Sequence, residues 1–218
     1  MGDELTPAQA SDLAHLFRAV QEAMEVRRQA FNQADEINGN HGDHMVQIFD
    51  IAARAAKQQG GAELAEAMDR SGQWLVTCID NGSAQVYARG LAALAEQFRK
   101  HEISLEDLLA YVQGATLEKA DAKVSAPQVK SGLVLKALLG GLASWQEAEG
   151  DKATDGLSLG YLFDLGVAYM QAKRGGGSRA EVIAEAAAAV SPLKDVPHRR
   201  MSGKAAILAL LEAMGERI

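Results

Sequence analysis

The chain carries one cysteine, Cys78, in 218 residues. No intrachain disulfide and no cysteine zinc site can therefore form. Set between Thr77 and Ile79, Cys78 reads as a small buried apolar residue. Aromatic residues are scarce at 5%, and Ala and Leu dominate, which suits close-packed helices better than a sheet. No segment shows the period-two alternation of a half-buried strand. No apolar run approaches the roughly 18 residues that a spanning helix needs, which argues against a membrane protein. Positive charge is in deficit: 22 Lys and Arg against 29 Asp and Glu give a net charge of −7 and a pI near 5.3. Nucleic-acid phosphates are neutralised by clustered Lys and Arg, and the pairs Arg27-Arg28 and Arg199-Arg200 are too short to supply them. The opening Met-Gly-Asp-Glu-Leu-Thr-Pro is acidic and lacks the apolar core of a leader, so a cytoplasmic protein is expected.

What is present is helical punctuation. Hydrophobic content of 48% with 23% charged residues is that of an ordinary globular chain, and residues 1–218 are expected to form one domain. Thr6-Pro7-Ala8-Gln9 starts a helix in which Leu13, Leu16, Phe17, Val20, Met24 and Phe31 recur at helical spacing, running to about Asp35. A second helix is expected from about Asp43 to Gln58, stopped by Gly60-Gly61. A third begins near Ala62, with Gly72 as a break point. A turn at Asn81-Gly82-Ser83 leads into a helix from Val86 to about Lys100. Ser104 to Asp107 is a capping box for a helix reaching about Asp121, and Ala122 to Gln128 is a linker. Leu133 to Trp145 and Gly156 to Lys173 are further helices. Ser178-Arg-Ala-Glu181 is another capping box, opening an alanine-rich helix that closes at Ser191-Pro192. After a basic loop at Asp195 to Arg200, a last helix runs from about Ser202 to Met214. The sum is an all-α bundle of eight or nine helices.

One stretch stands out chemically. Asp35-Glu-Ile-Asn-Gly-Asn-His-Gly-Asp-His-Met45 crowds two glycines, two asparagines, two histidines and three acids between two helical patterns. Asn-Gly and Gly-Asn turn easily, because both residues reach the left-handed backbone region at little cost. A polar loop feeding a helix start is a natural anion site, where free amides and the helix dipole point outward. It is equally the signature of a loop with a good helix cap. Met45 and Phe49, just beyond it, read as core, and Asp43 reads more as a cap than as a ligand.

The order of these parts resembles the nucleotide-binding L subunit of bacterial dihydroxyacetone kinases and the N-terminal domain of fatty acid kinases. That family follows its first helix with Asp-x4-Asp-x-Asp-His-Gly-x-Asn-Met, and Asn38-Gly-Asn-His-Gly-Asp-His-Met45 falls on its second half without a gap. Asn81-Gly82-Ser83, followed by Tyr87 and Arg89-Gly90, is similar to a family turn that covers the nucleotide. Ser202-Gly203-Lys204-Ala205-Ala206 stands where the family has Asp-Pro-Gly-Ala. The resemblance implies a barrel of eight antiparallel helices. It implies Mg-ATP or Mg-ADP in the loops at one end, with phosphoryl transfer to a substrate held by a separate partner subunit. A homodimer is the other association considered. Carried over by position, the ligand candidates are Asn38, Asn40, His41, Gly42, Gly82, Ser83 and Gly203.

The departures from the pattern are chemical. The three aspartates that hold two magnesium ions in the family correspond here to Gln33, Asn38 and Asn40. An amide oxygen brings no charge, and magnesium sites of this kind rest on carboxylates beside the phosphates. In phosphoryl transfer the protein supplies mostly positioning and electrostatics, so losing the ions removes most of the mechanism. Ala84 replaces a family glycine, Met201-Ser202 replaces Asp-Pro, and Lys130-Ser-Gly-Leu-Val134 replaces Gly-Asp-Lys-Thr-Met. The expectation is a relative that kept the helical frame and a nucleotide- or phosphate-binding or regulatory role while phosphotransfer was impaired or lost, with no metal. Two alternatives stand beside it. One is an active phosphotransferase with a rearranged metal site drawn from Asp35, His41, Asp43 and His44, a donor mix better suited to Mn or Zn. The other is a helical interaction protein without a small ligand.

Overall fold

The computed structural model describes residues 8–59, 62–103, 107, 159–191 and 195–215. Seven helices occur among them: α1 (Ala8–Ala34), α2 (His41–Gln58), α3 (Leu64–Cys78), α4 (Gly82–Lys100), α5 (Leu159–Gly175), α6 (Arg179–Val190) and α7 (Pro197–Gly215). No strand is found among the described residues, so the all-α class holds. The start at Thr6-Pro7, the stop at Gly60-Gly61, the helices expected over 104–121 and 133–145, and the linker between them lie outside the described residues, Asp107 excepted, which is helical. No described helix is long and apolar enough to cross a membrane.

Apolar spacing sets the packing. On α1 the buried side chains are Leu13, Leu16, Phe17, Val20, Met24 and Phe31. On α2 they include Met45, Ile48, Phe49, Ala52 and Ala56. Both are i, i+3, i+4 stripes, and they face each other across the six residues that join the two helices. Burying each large member stabilises the fold by about 1.5–3 kcal/mol relative to exposure, before chain entropy is charged against it. Packing runs from α4 to α3, α2 and α1, then to α7, α6 and α5, so α1 has the first-following and the last helix as its neighbours. Phe17 and Phe49 meet between α1 and α2, and Tyr87 of α4 meets Phe49 edge-on at 5.3 Å.

Three expectations change. Gly72 does not break α3; it lies inside the helix, where an added Cβ would come within 3.1 Å of the Ala88 carbonyl, so it lets α3 and α4 approach closely. Cys78 is exposed rather than buried, because α3 ends there and the extended Ile79 turns into the core instead. The last helix begins at Pro197, not Ser202. Proline suits a first helical turn, where its missing N–H is not needed, so the basic stretch read as loop is in fact the first turn of α7.

Candidate functional site

The six residues between α1 and α2 are folded around Asp35. Its Oδ1 accepts from the amides of Ile37 (3.3 Å) and Asn38 (3.4 Å), and its Oδ2 accepts from the amide of Asn40 (3.4 Å). Gly39 sits at φ +67, the left-handed conformation that lets the chain double back. Burial pushes the Asp35 carboxyl up, yet the amides of Asn38, Asn40 and Ile37 and the neighbouring His198 outweigh it, leaving the group more acidic than an ordinary aspartate.

The start of α2 is capped from outside. Asn40 occupies the N-cap position but makes no capping bond. Instead Asn32, in the last turn of α1, accepts from the amides of Gly42 (2.7 Å) and Asp43 (3.3 Å), and its Nδ2 donates to Asp43 (3.1 Å). Asp43 is thus not the cap; it lies in the first turn, where a negative charge suits the dipole, and faces Arg28 at 3.7 Å. Gly42 touches α1 so closely that a Cβ there would stand 2.1 Å from the Arg28 carbonyl. The amides of Gly42, Asp43 and His44, among those expected to greet an anion at this helix start, are therefore already engaged.

What the loop delivers is His41, 4% exposed, against the first two turns of α7. Its Nε2 lies 2.8 Å from Oγ of the buried Ser202, whose hydroxyl donates to the Arg199 carbonyl one turn back (3.1 Å). With the Ser202 proton on that carbonyl, the tautomer of His41 that completes the contact is the one carrying its proton on Nε2. The His41 and His198 rings are 4.6 Å apart, and His198 Nδ1 is 4.0 Å from Asp35. Burial, with the nearby His198 and Arg199, pushes the His41 imidazole down to about 4 against the opposing pull of Asp35, so it is neutral at physiological pH. Burial raises the pKa of the Tyr87 hydroxyl above the ordinary phenol value, against the opposing charge of Arg199.

Arg199 differs from its neighbours. Arg200 and Lys204 share Glu185 of α6, at 2.7 and 2.6 Å. The guanidinium of Arg199, partly buried, has neither a hydrogen bond nor an ion pair among the described residues. A second unmet group is Asn40 Oδ1, which is buried and accepts no hydrogen bond among the described residues.

Of the residues singled out from the sequence, Asp35 and His41 come together with α7, and Asn40 is tied to Asp35 through its backbone amide. Gly42 serves the α1–α2 contact. Asn38 is exposed, and only its backbone amide is used. Gly82 and Ser83 open α4 under the cap of Asn81, which accepts from the Ala84 amide at 2.8 Å. No hydrogen bond joins them to His41, and α4 reaches the corner through Tyr87, one turn on. Ala84 has its methyl fully buried in the core. Gly203 lies in α7 with open space where a Cβ would be. His198, Arg199 and Asn32 were not singled out. Pro197 was the available signal for the first two; nothing local marks Asn32.

The magnesium pair implied by the resemblance does not fit these donors. Gln33 and Asn38 are exposed amides, both Asp35 oxygens serve backbone amides, and Asp43 is held by Asn32 and Arg28. Nor do Asp35, His41, Asp43 and His44 converge: among the described residues no group of three or more His, Cys, Asp or Glu side chains is placed to hold a metal ion. Compared with models of known protein families, with curated proteins and with solved structures, the chain matches none.

Proposed function

We propose that this chain is a helical domain on the plan of the dihydroxyacetone kinase L subunits that binds a phosphate-bearing ligand, such as a nucleotide, without the carboxylate-held metal centre of a working kinase. The observation that carries the reading is Arg199: a partly buried cation with no anionic partner among the described residues, next to His198 on α7 and close enough for its charge to act on His41 and Tyr87. A buried charge is costly unless paired, and the same helix pairs its other cations with Glu185. An anionic ligand would complete the corner. Asn40 Oδ1, an acceptor without a donor, is where a ligand hydroxyl or amine would be satisfied. In this reading the domain acts by binding, as a sensor of its ligand or as a regulator of a partner subunit.

The test is a melting series with ATP, ADP or inorganic phosphate against chloride at equal ionic strength. A ligand at a hundredfold excess over its Kd should stabilise the fold by about 2.7 kcal/mol. The absence of a shift with all three would sink the proposal and favour an interaction protein without a ligand. Magnesium-dependent transfer from ATP to dihydroxyacetone or a fatty acid, given a suitable partner, would show that the chain is a kinase after all.

A further inference from the structure

We infer that Arg199 stands in for magnesium, so that this chain holds a phosphate group directly and independently of any divalent cation. The inference rests on the phosphate-binding reading above and adds how the ligand's charge is met.

A phosphate brought into a partly buried corner needs positive charge opposite it. In a metal-bridged site carboxylates hold the ions and the ions hold the phosphate, so the protein's own contribution is negative. Here that arrangement is inverted. Gln33, Asn38 and Asn40 supply no charge. The buried Asp35 could turn to a metal only by abandoning the amides of Ile37, Asn38 and Asn40 and so unmaking the loop. Across from the loop, α7 offers the guanidinium of Arg199, unpaired among the described residues, with His198 beside it on the same turn. A guanidinium keeps its charge throughout the working pH range and presents a planar fork that two phosphate oxygens can accept together. A magnesium ion entering the same corner would meet Arg199 as a like charge, and among the described residues no group of three or more carboxylate or imidazole side chains is placed to hold it.

Isothermal titration of the full chain with inorganic phosphate and with ADP, each in EDTA and again in excess magnesium, tests the inference. At least one probe should bind in EDTA, with an affinity within about twofold of that in magnesium, as for two uncoupled ligands. Arg199→Gln should weaken binding about tenfold or more, the size of a lost charge-assisted contact. Arg199→Lys, which keeps the charge without the fork, should fall between the two. Arg200→Gln, which removes a cation already paired with Glu185, should bind as the parent does. Binding that requires magnesium overturns the inference and leaves the phosphate-binding reading standing. Unchanged affinity in a folded Arg199→Gln overturns it too. Failure of both probes in both buffers overturns the inference and the reading together.

Discussion

Protonating His41 would put a positive charge into a buried corner where the nearby His198 and Arg199 already oppose it. The unfolded chain has no such difficulty, since there the imidazole titrates at its ordinary value of 6.5 against about 4 in the fold. Between these values the unfolded state binds more protons than the folded state, so stability rises with pH across the window and falls on acidification. The loss from pH 7 to pH 4 should be on the order of 2 kcal/mol once solvent screening is allowed for. Urea unfolding at pH 7.5, 6 and 4.5 measures it, and His41→Gln should flatten the slope over that range. An unchanged slope in the variant would mean that another group carries the acid sensitivity. Asp35 acts below this window. Its carboxyl is more acidic in the fold than in the free chain, so the stability it contributes is present at neutral pH and is lost as pH falls through its lowered pKa.

At the scale of the helices, glycines separate contact from conformation. Gly42→Ala places a methyl against the Arg28 carbonyl of α1, an atom that cannot move without shifting the helix. The expected cost is about 3 kcal/mol or more. Gly203→Ala meets nothing within contact distance and should stabilise α7 by roughly 0.5–1 kcal/mol through helix propensity. Paired denaturation curves decide; equal effects would remove the steric account of Gly42. These cases also mark what the sequence could say. Helix interiors were legible because apolar spacing on α1 and α2 is local, and so were starts whose cap lies beside them, as with the capping box at Ser178 and Glu181. The cap of α2 was not, because Asn32 sits ten residues before Gly42 on another helix, and periodicity carries no sign of it. The start of α7 was mistaken because charged residues after a proline look like loop until that proline is placed at a first turn. His198 and Arg199 were hidden by that error, and with them most of the corner's charge.

For the molecule as a whole, the neighbours of α1 matter most. Its end, the 35–40 turn, the first turn of α2 and the first turns of α7 share one corner, although α1 and α7 stand far apart along the chain. A ligand held by Arg199 would bear on all of them together. Hydrogen exchange with and without saturating inorganic phosphate should therefore show added protection in residues 35–45 and 197–204 simultaneously, with α3 little changed. Protection confined to one of the two segments would mean that the corner does not act as a unit. What the corner can hold was not legible in the loop's glycines and histidine, since that depends on which donors are already spent within the fold.

The turn between α1 and α2 is gauged from both ends. Asp35 reaches forward to three amides inside it, and Asn32 reaches past it to two first-turn donors of α2, the amides of Gly42 and Asp43. Changes to the side chains in between, such as the exposed Glu36, Ile37 and Asn38, leave these spans intact. Adding or removing a single residue does not, because every donor beyond the change would miss its acceptor and His41 would swing away from Ser202. The turn can thus drift widely in composition while its length stays fixed.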